Sequence, residues 1–279
     1  REVGTLDLGG AGTYANGEVK MQETSDKYKK MLAKGAGVET RVSIGDSGVL
    51  IDGSGDSITI GGVRLLVDDG GPNGGYDESM VCSVSTSGQV FGGSGGPTAG
   101  STEAGEIEVD MFAPAGIIPR QARMAPFVRL VDGEEHSEWL PQGVYYLDTR
   151  EDRSPDGLRR LSLRGFDGML RAEQDYPSSK LDWPAKDTDV VKEIATAMNV
   201  QVDPRVWDVM DGEYLIPYPT EYSCREVLGH IGAMYAGNWI MNETGDLLLV
   251  PLGGLPPETR YLVDDTRSAI LIGGDRLLV

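Results

Sequence analysis

Residues that most often carry out chemistry are scarce in this sequence. It holds two histidines and two cysteines in 279 residues. Cys82 and Cys224 lie far apart and form no CxxC, which excludes both a disulfide framework and a zinc-binding pattern. Long apolar runs are also missing. The longest, such as Leu247-Leu248-Leu249-Val250, fall far short of a bilayer span, so no stable membrane insertion is expected. The N-terminus reads REVGTLDLGG, with neither the basic nor the apolar region of a secretory signal. It does not begin with Met, so a fragment or a processed product is expected. Positive charge is in deficit: 25 Lys+Arg stand against 44 Asp+Glu, a net charge of -19. So acidic a surface repels phosphate and argues against specific nucleic-acid binding. It could line a passage to which nucleic acid must not stick, or simply keep the protein soluble.

What is present points to a β-rich globular protein. The length suits roughly two domains, and the 39% hydrophobic and 25% charged residues argue against general disorder. Residues 1–105 hold 24 of the 39 glycines and read as short strands broken by turns. Val49–Ile51 and Ile58–Ile60 flank DGSGDS as a hairpin. Val63–Val67 forms a strand closed by DDGGPNGG, and Met80, Cys82 and Val84 alternate in another. FGGSGGPTAGS (91–101) is too glycine-rich for a regular element. The helical exception is Ser25–Ala33, with Thr24 or Ser25 as cap and Gly35 as stop.

From residue 106 the texture changes. Ile107, Val109 and Met111 alternate with acids as a half-buried strand. Phe127–Val131 and His136–Leu140 flank a DG turn as a hairpin. Gly143–Asp148 and Leu158–Phe166 add strands, and Asp167 is a cap for Met169–Ala172. Val190, Ile194 and Met198 recur at helical spacing, predicting a helix over 189–199 capped by Asp187 or Thr188. Ser223-x-x-Glu226 is a capping box opening a helix over 224–236, with Gly237 as its stop. Trp239–Met241 and Leu247–Val250 flank NETGD as a hairpin. Short apolar runs at Tyr261–Val263, Ala269–Ile272 and Leu277–Val279 follow.

Several strings imitate reactive motifs. Gly45-Asp46-Ser47-Gly48 resembles part of a serine-protease signature, but His136 and His230 both follow it, against the trypsin-like order. Gly92-Gly93-Ser94-Gly95-Gly96 fits G-x-S-x-G without the helix a nucleophile elbow needs. Asp52–Ser57 has the look of a calcium loop, but Ser57 and Val63 stand where Gly and the bidentate Glu belong. No glycine run ends in a Walker lysine. Glu134-Glu135 and Asp68-Asp69 are pairs that 44 acids produce by chance. Asn242-Glu243-Thr244 matches a glycosylation sequon, which means little without a secretory signal. The four tryptophans, Trp139, Trp183, Trp207 and Trp239, read as core or interface anchors. No catalytic, cofactor-binding or metal-ligating residue is assigned.

Over about 103–252 the order of segments resembles a known family. EAGEIEVDMFAPAGIIPRQARMAPFVRLVDG is followed by SEWLPQGVYYLDTRE and LRRLSLRGFDGMLRAEQDYP. Then come DVVKEIATAMNVQVDP and SCREVLGHIGAMYAGNWIMNETGDLLLVPL. This is similar to the tail-hub proteins of long-tailed phages and prophages, relatives in fold of contractile-phage baseplate hubs. The resemblance implies a mainly β (α+β) chain of β-barrel-like tail-tube/hub domains with a few short packed helices. It also implies a homotrimeric ring in the virion tail, made in the bacterial host cytoplasm. That ring would join the tail tube or distal tail protein to the tail tip or fibre protein and leave a channel for DNA. It carries over no catalytic motif and no cofactor. The expected divisions are 1–105, part of the first hub domain; 106–180, a β-rich hub domain; 181–252, an α/β subdomain; and 253–279, the truncated start of a further β segment. A carbohydrate- or receptor-binding tail-tip module is the alternative reading, and a tail-associated cell-wall hydrolase a third.

Overall fold

The computed structural model describes residues 24–45, 59–60, 63–64, 75–88, 98–114, 118–153, 159–253, 271–272 and 275–276. Helix α1 (Asp26–Ala33) is capped by Ser25, whose Oγ accepts the Tyr28 amide at 3.0 Å. Strand β1 (Gly37–Gly45) follows, then the two-residue pair β2 (Thr59–Ile60) and β3 (Val63–Arg64). The main strands are β4 (Val81–Ser87), β5 (Glu106–Phe112), β6 (Arg123–Asp132), β9 (Tyr145–Arg153) and β10 (Arg160–Asp167). Between β6 and β9 lie the short β7 (Glu135–His136) and β8 (Leu140–Pro141). All join one antiparallel sheet in the order β1-β6-β9-β10-β5-β4, with β7 and β8 also paired to β6.

The period-two pattern decides which face is buried. Ile107, Val109, Met111, Leu161 and Leu163 point into one core with Met124, Tyr145 and Leu147. The opposite face of β5 and β10 carries Glu106, Glu108, Asp110, Arg160, Ser162 and Arg164. At the tip of the β6–β7 hairpin Gly133 sits at φ +63, a conformation that favours glycine and explains the DG turn. A bulge between Arg164 and Gly165 shifts the β9–β10 register. A Cβ at Gly165 would stand 2.5 Å from the Tyr146 carbonyl oxygen, so the bulge needs glycine.

Two strand expectations are amended here. In β4 the inward residues are Val81 and Val84, three apart, because a register shift lies between Val81 and Ser83; Cys82 faces solvent. The run His136–Leu140 is not continuous. Ser137 folds onto β6, accepting the Leu130 amide on its Oγ at 2.8 Å, and pairing resumes only at β8.

A second layer follows β10. It comprises a 3-10 helix (Gly168–Glu173), β11 (Ala185–Lys186), α2 (Asp187–Met198), α3 (Val206–Val209), β12 (Leu215–Ile216), α4 (Cys224–Met234), β13 (Gly237–Met241) and β14 (Leu247–Pro251). The apolar stripes of α2 (Val190, Ile194, Met198) and α4 (Val227, Leu228, Ile231) meet over Trp239. Trp239 is fully buried and its indole N–H donates to the Leu228 carbonyl at 2.8 Å, which satisfies the one polar atom it brings inside. The capping box at Ser223 and Glu226 is formed from both sides. The other two cap expectations need correcting. Helix α2 begins at Asp187 itself, with no side-chain cap from Lys186; one oxygen of the buried Asp187 carboxylate accepts the adjacent Thr188 amide at 2.7 Å and the other the Tyr235 hydroxyl, so neither caps the amides a turn further on. Helix α4 is turned not at Gly237 but at Ala236, at φ +47; Gly237 is already in β13.

Asp167 joins the two layers. Its carboxylate accepts the Gly105 amide at 2.8 Å and, as cap of the 3-10 helix, the Met169 amide at 2.9 Å. Arg225 of α4 reaches Glu173 at 2.9 Å and donates to the Thr102 carbonyl. The last described elements, β15 (Leu271–Ile272) and β16 (Asp275–Arg276), pair with each other. The DGSGDS hairpin and its calcium-loop reading, most of the 63–67 strand, the glycine-rich loop at 91–97 and the strands at 261–263 and 277–279 lie outside the described residues.

Candidate interaction surfaces

Among the described residues, the side chains singled out as candidates for chemistry do not converge. His136 is exposed, its nearest anionic partner Glu39 at 3.8 Å. His230 is exposed on α4 and meets Tyr222 edge-on at 5.5 Å. The Cys224 thiol is buried, and that burial pushes its pKa up to about 11, which suppresses the reactive thiolate. Glu134 and Glu135 lie exposed on the β6–β7 hairpin. Asn242 is buried and holds its own turn: its Oδ1 accepts from Thr244 and Asp246, and its Nδ2 donates to Asp203 at 2.7 Å. An amide so used is closed to glycosylation. The GDSG and GGSGG strings fall largely or wholly outside the described residues. Among the described residues no group of three or more His, Cys, Asp or Glu could hold a metal, and no helix is long and apolar enough to cross a membrane.

One broad recess of about 680 Å³ lies between residues 118–121 and Leu147, Asp148 and Arg150 of β9. Arg150 there donates to the Ile118 carbonyl at 3.1 Å, so its guanidinium is engaged in holding the loop. The recess contains no nucleophile paired with a base.

The outer surface is more informative. Segment 211–222 (DGEYLIPYPTEY) crosses the second layer and leaves Tyr214, Leu215, Tyr218 and Tyr222 exposed. These rings are held in place. Tyr218 packs edge-on against Trp183 at 5.1 Å, Tyr176 stands edge-on to both, and Tyr214 meets Tyr235 at 5.4 Å. Aromatic rings fixed at a surface are the groups that anchor protein contacts and stack on sugars. From residue 206 to 224 the chain has four acids and no Lys or Arg.

A surface of opposite sign lies on α1. Four of the eight lysines in the whole chain fall within residues 27–34. Lys27, Lys29, Lys30 and Lys34 are exposed, and Leu32 stands exposed among them. Ser25 clamps this helix to the sheet, its amide and hydroxyl each donating to the Glu138 carboxylate at 2.6 Å. Burial would raise the Glu138 pKa, but those bonds outweigh it and hold the carboxyl below its ordinary range. Nearby, the Trp139 ring carries both the Arg41 and the Arg129 guanidinium groups against it, at 5.1 and 4.4 Å.

Reading by motif misses both surfaces, because neither is a motif. The visible signals are a stretch without basic residues and a clustering of lysines in a chain that otherwise uses arginine. The acid excess, for its part, is not gathered on the polar face of the sheet. There Arg164 pairs with Glu106, and Arg153 approaches Asp110 at 3.8 Å.

No family model matches the sequence, and no curated protein matches it. Solved structures do. The chain is similar to a tail protein from Neisseria meningitidis MC58, at 12% identity and a TM-score of 0.47 over 84% of this chain. It is similar to the 43 kDa tail protein of prophage MuSo2 from Shewanella oneidensis, at 13% identity and a TM-score of 0.44 over 77%. A chain of the half-lidded Francisella PdpA–VgrG complex follows at 10% identity and 0.40 over 80%. The chain spans 58%, 56% and 34% of the lengths of those three. Likeness at these scores is a partial agreement of chain path, and no function follows from it.

Proposed function

We propose that the protein is a structural subunit of a phage or prophage tail. In this reading it is a hub whose copies close into a trimeric ring between tail tube and tail tip, around a channel for DNA. Its work is docking, with no bond made or broken. The observation that carries the reading is the free end of the main sheet among the described residues. Its path ends in β4, and among the described residues no strand pairs along the outer edge of Val81–Ser87. An open edge presents unpaired amides and carbonyls, a ready template for another chain. The segment order over 103–252 that resembles tail hubs supports the same reading. Barrel-like closure is then a property of the assembled ring. The channel wall remains a separate matter: the mixed charge on the sheet's polar face gives no support to an acidic lining there.

The test is the mass of the purified full chain in solution, followed over concentration by sedimentation. The reading expects a trimer that grows in with concentration or on adding the tail-tube protein. A monomer under both conditions contradicts it.

The exposed tyrosines favour a second reading, a carbohydrate- or receptor-binding tail-tip module. A glycan array distinguishes it: specific sugar binding by a monomer that Tyr218→Ala abolishes would establish this alternative.

A further inference from the structure

The two most exposed large apolar side chains among the described residues are Leu215, at 61%, and Leu32, at 57%. Their surroundings are opposite in charge. Leu215 lies in the segment that exposes Tyr214, Tyr218 and Tyr222 together with Asp211, Glu213 and Glu221; Lys186, its cross-strand neighbour, is the one exposed cation paired to that segment, against three acids. Leu32 lies among the four lysines of α1 and its C-terminal cap. One surface belongs to the helix packed on the sheet and the other to the second layer, so each is free to meet a different neighbour.

We infer that these two surfaces are the halves of one contact between copies of this chain: lysine-rimmed α1 of one copy seats on the acid-rimmed tyrosine surface of the next. The inference rests on the self-assembling reading given above and names the side chains that perform it. Three observations point to a second copy rather than to another occupant. The charges match, basic against acidic, each around an apolar centre, which is the arrangement of an anchor with a polar rim. The basic cluster is exceptional in a chain of net charge -19, so copies would otherwise repel each other. The two halves are different surfaces, so the contact is head-to-tail, the kind that generates a ring when its rotation closes.

The experiment is a charge exchange in the full-length chain, read as self-association by sedimentation at low and high salt. Lys29→Glu with Lys30→Glu turns the α1 rim acidic. Glu213→Lys with Glu221→Lys turns the tyrosine rim basic. Each double variant is expected to weaken self-association at least about tenfold, since like charges then face each other. The quadruple variant restores opposite charges at every contact and should recover association to within about threefold of the wild type. All four positions are exposed, and circular dichroism checks that each variant is folded. Recovery in the quadruple variant itself excludes misfolding as the cause of the losses.

If wild type assembles and neither double variant changes the midpoint, the inference fails while the ring-forming reading stands. If both doubles weaken association and the quadruple does not recover, the surfaces do not face each other, and the inference also fails. If wild type remains a monomer with and without the tube protein, both fall together. Binding of the tyrosine surface to sugars, or of α1 to anionic vesicles, in place of association would likewise overturn it.

Discussion

Asp167 shows how much one side chain does in this chain. It ends β10, caps the 3-10 helix and holds the Gly105 amide, so a single carboxylate ties both layers together. Burial pushes its pKa from 3.8 up to about 6, against the pull of the two amide bonds and of Arg225. The folded chain thus binds this proton more tightly than the unfolded chain. Its contribution to stability is greatest below pH 3.8 and falls as the pH rises to about 6. Replacing Asp167 by Asn removes that titration. Denaturant unfolding from about pH 4 to about pH 7 should show wild type losing on the order of 2 to 3 kcal/mol relative to the variant. A difference that stays flat or grows with pH would contradict this. The capping role of Asp167 is legible in the sequence, because a strand that stops at an Asp before a short apolar turn has few other meanings. Its bond to Gly105 is not legible, since sixty-two residues separate the partners and no local pattern links them.

At the scale of elements, local chemistry succeeds where the signal is local. The alternation in β5, the DG turn, the stripe of α4 and its capping box all follow from spacing alone. Two of the misses share a cause, which is a distant partner. Asp187 looks like a cap by position, but Tyr235 takes one of its carboxylate oxygens and the adjacent Thr188 amide the other, and the helix starts a residue early. Cys82 looks inward by alternation, but a shift in pairing with β5 turns it to solvent. Helix α1 depends on its partner as well. Ser25 both caps it and clamps it to Glu138, so Ser25→Ala removes the cap and the hydroxyl's hydrogen bond to Glu138, while the backbone amide's bond to the same carboxylate stays. The loss should be about 1 to 2 kcal/mol and local to α1. Limited trypsin digestion reads it at the helix's own lysines: cleavage within 27–34 should speed up severalfold, with the rest of the chain unaffected. Equal rates in both proteins would show that the clamp does not hold the helix.

For the whole molecule, the distribution of features argues for docking. Among the described residues the main sheet ends at β4 with no further strand paired to it, and two exposed apolar centres carry rims of opposite charge. How copies would fit together is the part least visible in the sequence, because it depends on surfaces assembled from segments far apart in the chain. The most direct test is electron microscopy with particle averaging of the assembled full-length protein. Three-fold rings with an open centre, each subunit contributing its β4 edge to a neighbour, are the predicted result. Isolated subunits, or particles whose contacts leave that edge unpaired and enclose no channel, would contradict it.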